Sequence, residues 1–245
     1  MSTISKDTFT FHNLSQFPHL FHAVSTRKDG SMKGKDGLIL PNIEAFVTSQ
    51  DIPWERFLLS EQVHGGNVII INDIPSEKIL KNADGIITTG KNIFLGVVTA
   101  DCLPLLFYDP KRQIVGAVHA GYKGLLASII GNTLEKFRQL GSNTHDIWVG
   151  IGPAIGVCCY EVPLDRIELF NEKFPSYVCW YQKRDRKFFL DLRAIAQKSL
   201  VEQGVLSEHL EISDICTIDH NDRFFSYRAD GPEKFGEFVS VIGIT

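Results

Sequence analysis

The sequence predicts an α/β or α+β fold in which mixed β-sheets are flanked by helices. Short apolar runs rich in β-branched residues are interspersed with longer segments that carry apolar residues at helical spacing. These strands and helices do not alternate as strict βαβ units, and neither GxGxxG nor GxxxxGK[ST] occurs, so a Rossmann unit is not expected. Because no internal repeat or Pro/Ser-rich linker interrupts residues 1–245, we expect a single domain.

Strands are predicted where a short apolar run meets a turn signal. The candidates are Phe21–Thr26, Val68–Ile71, Ile93–Val98, Leu103–Tyr108, Ile114–His119, Ile147–Ile151, Ile212–Ile218 and Phe238–Ile244. Asp109 and Pro110 separate the fourth segment from the fifth, so these two are expected to form a hairpin. Residues 30–37 are predicted to be a polar loop that contains glycine.

The longest predicted helix covers Lys123–Leu140, where apolar residues recur at helical spacing until Gly141. Two more helices are predicted over Pro163–Phe174 and Asp191–Gln203, and Gly204 is the expected C-cap of the second.

Composition excludes several classes of protein. The net charge of −4 provides no basic field for nucleic acid, and no apolar run is long enough to cross a membrane. Residues 1–6 lack the apolar core of a signal peptide, so a cytoplasmic protein is expected. The cysteines, an odd number without framework spacing, are expected to be reduced: Cys102, Cys158, Cys159, Cys179 and Cys216.

Three potential metal ligands stand at turn signals. His64 precedes two glycines, Cys102 lies between two apolar runs, and His119 ends a run just before Gly121. Two imidazoles and a thiolate form a three-ligand zinc shell with an open fourth position, as catalytic sites have. Each residue also has a plain structural interpretation: a buried cysteine, a core histidine, or a polar strand end that carries Gln62 and His64 on one side.

Other polar residues are candidates for binding or proton transfer. Gly121 and Lys123 open the predicted long helix, whose N-terminus would offer N–H groups to an anion. Arg27 and Arg228 follow apolar runs and suit phosphate, although a surface position is the usual alternative. Asp101 is a candidate for proton transfer or for orienting a ligand histidine, with a turn cap as the alternative.

Two further motifs are interpreted mainly as structural. Asp84 lies in Asn82–Gly85, a predicted turn, although a role behind a metal ligand is left open. Cys158 and Cys159 are adjacent and do not easily share one tetrahedral site, so they too are interpreted as structural.

Six motifs in one order resemble the YfiH-type laccase-domain family. They are QVHG, ADGIIT, TADCLPLLFYDP, VHAGYKG, IGPAIG followed by CYEV, and FFSYR. The resemblance extends from about Phe21 to the C-terminus and implies a single α/β domain with mixed sheets. It further implies that His64, Cys102 and His119 bind zinc, with copper also possible, and are catalytic. Asp101, which adjoins Cys102, is added to this catalytic set as the candidate for proton transfer.

The resemblance also implies an activity. Members of this family cleave adenosine, inosine and methylthioadenosine with phosphate to a base and ribose 1-phosphate, and deaminate adenosine. The expected partners are therefore a purine nucleoside and phosphate, and the chain is expected to be a monomer or a homodimer. Three alternatives stay open: a copper-dependent oxidase of phenols, a hydrolase that edits peptidoglycan precursors with Cys102 as nucleophile, and a non-catalytic metal-binding protein.

The chain departs from the family pattern at several positions. Residues 29–32 replace GGVS, and Tyr122 and Lys123 replace the Trp-Arg pair of HAGWRG. Ala229 stands where a second arginine follows FSYR, and Glu237 reverses the charge of a late Gly-Arg pair. These changes bear on substrate preference more than on metal binding.

Overall fold

Two β-sheets lie face to face at the centre of the computed structural model, which describes residues 8–176 and 180–245. Numbered in chain order, the strands are β1 (Leu20–Val24), β2 (Lys33–Gly34), β3 (Gly37–Leu38), β4 (Phe57–Ser60), β5 (Val68–Ile71), β6 (Ile79–Leu80), β7 (Gly85–Thr88), β8 (Phe94–Thr99), β9 (Leu103–Asp109), β10 (Ile114–Ala120), β11 (Trp148–Ile151), β12 (Glu161–Val162), β13 (Tyr181–Arg184), β14 (Lys187–Leu190), β15 (Leu210–Ile212) and β16 (Phe238–Ile244). The α-helices are α1 (His12–Ser15), α2 (Leu40–Ser49), α3 (Tyr122–Leu126), α4 (Ile129–Gln139), α5 (Leu164–Lys173), α6 (Leu192–Glu202) and α7 (Tyr227–Asp230).

Both large sheets are mixed. The five-stranded sheet has the order β1-β16-β8-β4-β6, and the six-stranded sheet has the order β15-β11-β9-β10-β7-β5. In the first sheet β4 runs parallel to β6 and β8, and in the second β5 runs parallel to β7 and β11 to β15. The predicted mixed α+β fold is therefore confirmed.

Side-chain alternation along the strands divides the core into layers. In β10, Val115 and Ala117 face the five-stranded sheet, whereas Ile114 and Val118 face a cluster that includes α3, α4, α5 and α6. Helix α2 covers the outer face of the five-stranded sheet. The same alternation directs His119 into the space between the sheets, where it is 2 % exposed.

Most predicted elements occur within a residue or two of their expected ends. Val68–Ile71 and Phe238–Ile244 have the predicted bounds, β9 and β10 form the expected hairpin, and Gly204 ends α6 with a φ of +96°. The strand predicted from Phe21 ends at Val24, because Thr26 and Asp29 form the capping box of a short 3-10 helix.

Three local predictions are wrong. Lys123–Leu140 is not one helix, because Ser128 adopts a left-handed φ of +60° between α3 and α4. The strand predicted over Ile212–Ile218 ends at Ile212, where the chain turns away to form a single bridge between Ala154 and Cys216. Residues 30–37 are not loop alone, because they contain β2 and the first residue of β3.

Cys179 and residues 1–6 lie outside the described residues. Among the described helices, none has the length and apolarity that crossing a membrane requires.

His22 predicts a pH dependence of folding. It is 5 % exposed and packs in β1 with its Nε2 3.0 Å from the amide nitrogen of Phe11, and burial lowers its pKa from 6.5 to about 4. Between these two pH values His22 is therefore protonated in the unfolded chain and neutral in the folded chain. The stability that depends on neutral His22, up to about 3 kcal/mol, is expected to be lost as pH falls from 6.5 to 4.

Chemical denaturation of wild type and His22→Gln across this pH range measures the effect. The variant is expected to lose less stability on acidification, whereas the exposed-site control His12→Gln is expected to follow wild type. Equal slopes for wild type and His22→Gln would contradict the assignment.

Candidate metal centre and its cavity

Strand registers bring the three predicted metal ligands together. In the β9–β10 hairpin Leu103 pairs with Ala120, so Cys102 comes to lie beside Gly121. In the β10–β7 pair Val118 lies opposite Gly85, and the amide of His119 donates to the carbonyl of Asp84. The sheet thus aligns segments that are far apart in the chain.

The ligand atoms of His64, Cys102 and His119 all lie within 4.8 Å of one another. The two imidazole rings are 4.7 Å apart at their centroids and nearly perpendicular. His64 is exposed at the rim, Cys102 is half-buried and His119 is buried. This arrangement matches a three-ligand centre that keeps one side open.

Asp84 fixes the orientation of the centre. Its Oδ1 lies 2.9 Å from His119 Nδ1, which leaves Nε2 of that ring to face Cys102 and His64. The same carboxylate accepts the amide protons of His64 and Gly65, at 2.8 and 2.7 Å. A carboxylate behind a ligand histidine is the usual device for setting its tautomer. The sequence left open a role for Asp84 behind a metal ligand, and the structure places its carboxylate where it can orient His119.

The backbone around the site is held in uncommon conformations. Gln62, His64 and Asp101 have φ values of +62°, +61° and +85°. The expectation that Gln62 and His64 lie on one side of a strand is wrong, because β4 ends at Ser60. Gln62 instead exchanges side-chain hydrogen bonds with the backbone of Val98. Uncommon backbone conformations that the surrounding contacts hold in place are typical of functional sites.

Electrostatics at the centre favour a positive charge. Burial alone would lower the pKa of His119, but the nearby Cys102 and the hydrogen bond to Asp84 raise it to about 9. The pKa of His64 is lowered to about 4, first by the partial burial of its ring beside the cavity and then by repulsion from His119. Two imidazoles and a thiol whose ligand atoms lie within 4.8 Å of one another form a donor set that fits a zinc-type ion.

Gly121 leaves room for the ligands. A Cβ at this position would lie 2.8 Å from Cys102 Sγ and 3.3 Å from His64 Cδ2. Its φ of −80° is open to any residue, so the missing side chain is required by space and not by backbone conformation.

Gly121→Ala is therefore expected to weaken metal binding by about tenfold or more, because the new methyl group displaces the thiolate. Competition titration with a chromophoric chelator measures the affinity. Gly131→Ala in α4, where a Cβ meets only the Gln203 side chain at 3.4 Å, is the control and should bind metal as wild type does. Equal affinity in both variants would show that the ligands do not need this space.

A cavity of about 440 Å³ opens beside the three ligands. Its wall contains two kinds of side chain that suit a nucleoside and an anion: aromatic rings and cations. These are Tyr122, Tyr160, Tyr227, Phe235, Lys33, Arg166 and Arg228. Arg166 lies over the Tyr122 ring at 4.0 Å, and Arg228 lies over the Tyr160 ring at 5.2 Å.

Asp101 lines this cavity and organises its wall. It is 7 % exposed; Oδ1 accepts the Thr217 hydroxyl proton at 2.6 Å, and Oδ2 accepts the amide proton of Arg228 at 2.8 Å. Its carboxylate thus holds the start of α7 against the turn before β9. Each oxygen accepts one of these hydrogen bonds and keeps a second lone pair, and the carboxylate that contacts His119 is that of Asp84.

The remaining predicted binding residues are placed differently. Arg27 does not line the cavity; its guanidinium pairs with Asp230 at 2.5 Å and stacks on Phe225. Lys123 also lies outside the lining, although its charge contributes to the lowered pKa of His64. The long-helix N-terminus expected at Gly121 belongs to the five-residue α3 instead.

Sequence reasoning missed several residues of the cavity. Tyr160 stands in the CYEV motif but was given no role, and Arg166 carries no local signal, because the loop after β11 and helix α5 reach the cavity only in the folded chain. Glu237 was identified only as a reversed charge. It lies beside Lys33 at 3.3 Å, and burial raises its pKa above the ordinary value despite that cation.

Comparison with known proteins supports one family. A family model described as multi-copper polyphenol oxidoreductase laccase matches residues 29–245. The purine nucleoside phosphorylase YlmD of Bacillus subtilis is 32% identical over 220 residues, which cover 86% of this chain and 78% of that protein. A purine nucleoside phosphorylase of Bacteroides thetaiotaomicron is 29% identical over 270 residues, covering 100% of this chain and 99% of that protein.

Solved structures agree in fold. YlmD from Geobacillus stearothermophilus superposes with a TM-score of 0.90 at 24% identity, covering 99% of this chain and 97% of that chain. The Bacillus licheniformis hypothetical protein YfiH superposes with a TM-score of 0.84 at 26% identity, covering 98% of this chain and 97% of that chain. Sequence and structure lead to the same conclusion: this chain belongs to the multi-copper polyphenol oxidoreductase laccase family, the YfiH-type laccase-domain family that its motifs resemble.

Proposed function

We propose that this chain is a zinc-dependent purine nucleoside phosphorylase with adenosine deaminase activity. The observation that carries the proposal is the cavity itself, in which two histidines and a thiol stand beside aromatic rings and three cations. Two relatives of similar sequence are named purine nucleoside phosphorylases. Adenosine, inosine and methylthioadenosine are the proposed substrates.

His64, Cys102 and His119 are the proposed metal ligands, with Asp84 setting the tautomer of His119. A zinc ion bound there would supply a Lewis acid at one wall of the cavity. Zinc is proposed over copper because two imidazoles and one thiolate with an open position are a common catalytic zinc set.

The chain's own residues would handle phosphate and nucleoside. In phosphorolysis a phosphate oxygen bonds to C1′ of the ribose while the bond from C1′ to the base breaks. Lys33, Arg166 and Arg228 are the proposed phosphate-binding groups, because their cations face the cavity. Asp101 positions Arg228 through its amide and is the proposed proton-transfer group for deamination.

Product analysis tests the proposal. Purified protein is incubated with adenosine with and without phosphate, and the products are separated. Adenine and ribose 1-phosphate are expected only with phosphate. Inosine is expected under both conditions, and with phosphate part of it is expected to be cleaved further to hypoxanthine. Failure to convert adenosine, inosine or methylthioadenosine in either condition would contradict it, and oxidation of a phenol would favour the copper oxidase alternative.

Arg228→Ala is expected to raise the KM for phosphate roughly 10- to 100-fold, since a hydrogen bond to a charged group contributes about 1.5–3 kcal/mol. Initial rates at varied phosphate measure this effect. Arg112→Ala is the control, because Arg112 is exposed and its Nε donates to the carbonyl of Gly141.

Arg27→Ala tests whether Arg27 binds phosphate, as the sequence predicts, or only pairs with Asp230. Since its guanidinium is bound to Asp230, we expect lower stability with an unchanged KM for phosphate. A raised KM in Arg27→Ala together with an unchanged KM in Arg228→Ala would place the phosphate on the Arg27 side instead.

A further inference from the structure

A second group of potential metal ligands lies apart from the candidate metal centre. It contains Cys158, Cys159, Cys216 and Asp219, whose ligand atoms all lie within 4.8 Å of one another. The sulfur of Cys158 lies 3.2 Å from Asp219 Oδ2, and the sulfur of Cys159 lies 3.3 Å from Asp219 Oδ1. Ligands of a tetrahedral ion with bonds of about 2.3 Å are about 3.8 Å apart, which lies between the 3.2 Å contact and the 4.8 Å limit of this group.

Local folding explains how adjacent cysteines meet one carboxylate. The chain turns tightly after Gly156, whose carbonyl accepts the amide protons of Cys159 and Tyr160 at 3.0 and 2.9 Å. A Cβ at Gly156 would lie 2.8 Å from Cys158 Sγ, so glycine permits the close approach. The expectation that the two cysteines do not easily share one tetrahedral site rested on their adjacency in sequence, and this turn directs both sulfurs towards Asp219.

Cys216 reaches the group from a distant segment. The bridge between Ala154 and Cys216 places the two stretches side by side, and the amide of Gly156 donates to Cys216 Sγ at 3.3 Å. Cys216 is 4 % exposed, whereas Cys158 and Asp219 are exposed. One buried anchor and an accessible outer face allow an ion to enter from solvent.

Neighbouring cations balance the negative charge of such a group. Arg193 lies next to Gly156 and donates to the carbonyls of Ala154 and Ile215. Arg184 donates to the carbonyls of Val157 and Cys158, at 2.8 and 2.9 Å. Three thiolates, a carboxylate and a divalent cation would carry a net charge of −2, which these two guanidinium groups offset.

We propose that Cys158, Cys159, Cys216 and Asp219 form a structural zinc site. Three thiolates and a carboxylate complete a tetrahedral shell without an open position, which is the pattern of a structural rather than a catalytic ion. The carboxylate distinguishes this site from a redox pair, because disulfide exchange between two thiols needs no acidic fourth ligand.

The proposed zinc site lies next to residues that form a wall of the cavity. Tyr160, which lines the cavity, directly follows Cys159, and Thr217, which holds Asp101, directly follows Cys216. An ion bound here would tie together the two segments that carry these residues. The site therefore stabilises one wall of the cavity without contacting a substrate.

Metal content and cobalt spectroscopy test the proposal independently of any enzyme activity. Protein is purified under reductant without added chelator, and zinc is counted by elemental analysis. Two equivalents are expected in wild type, one in Cys102→Ala, one in Cys216→Ser and none in the double variant. Asp214→Asn, which removes an exposed carboxylate of the same segment from outside the group, should retain two.

Co²⁺ titration of the Cys102→Ala variant, after its zinc has been removed with a chelator under reductant, reports the ligands directly. Strong visible bands of a tetrahedral ion and near-ultraviolet thiolate charge-transfer bands are expected. Both should disappear in Cys102→Ala/Cys216→Ser and weaken in Cys102→Ala/Asp219→Asn. Circular dichroism checks that each variant is folded.

Three results would overturn the proposal. They are the absence of zinc and cobalt binding in folded Cys102→Ala protein, thiolate bands that survive the loss of Cys216, and a disulfide among the three cysteines in protein kept under reductant. Phosphorolysis has no part in these measurements, so the second site is judged separately from the proposed function.

Discussion

Cys102→Ala is expected to remove the metal from the centre formed by His64, Cys102 and His119 and to abolish both phosphorolysis and deamination. The Cys102 thiolate is the anionic member of the three proposed ligands that the described residues bring together here. Two imidazoles that remain after its loss offer a weaker site, because a metal ion binds the deprotonated thiol most strongly.

Elemental analysis and product formation from adenosine measure the two losses together. The fold should persist, since Cys102 belongs to a turn and not to the core clusters. Near-ultraviolet circular dichroism and thermal unfolding provide that control. If the variant lost its metal and kept full phosphorolysis, the ion would be structural and the proposed use of one metal in both activities would be wrong.

Asp84→Asn is expected to have the second largest effect, on metal affinity and on stability together. Both carboxylate oxygens of Asp84 face donors, from His119, His64 and Gly65. Asparagine keeps one oxygen and turns an NH₂ group towards the remaining donors. Loss of such a partner typically lowers metal affinity 10- to 100-fold, and an unsatisfied buried donor costs about 1–3 kcal/mol.

Metal competition titration and urea unfolding measure these effects in the same protein. Asp73→Asn removes an exposed carboxylate and is the matched control, expected to match wild type in both measurements. Wild-type metal affinity in folded Asp84→Asn protein would contradict the role assigned to this carboxylate.

Local patterns in the chain were sufficient for most of the fold. Val68–Ile71 and Phe238–Ile244 were predicted with the observed bounds, because buried strands depend mainly on short continuous apolar runs. The long helix was predicted without its break. Asn132 donates to the carbonyl of Ala127 nearby and to that of Gly66 from a distant segment, and these contacts accompany the left-handed turn at Ser128.

Part of the candidate site could be predicted from local sequence, and part of it could not. His64, Cys102 and His119 were identified from turn signals and motif order, and the structure brings them together. Local sequence does not indicate which cations line the cavity. Arg27 and Arg166 are equally charged in the sequence, yet Arg27 meets Asp230 from a segment 203 residues away while Arg166 reaches the cavity from α5.

The family, the mixed-sheet fold and the three candidate ligands can therefore be predicted from sequence alone. Each of them depends on patterns within a few residues or on the order of the motifs. Tertiary structure decided which carboxylate supports His119 and which cations line the cavity. It also decided that Cys158 and Cys159 meet Cys216 and Asp219. Strand register and loop packing set these contacts, and both arise from burial summed over the whole chain rather than from any local segment.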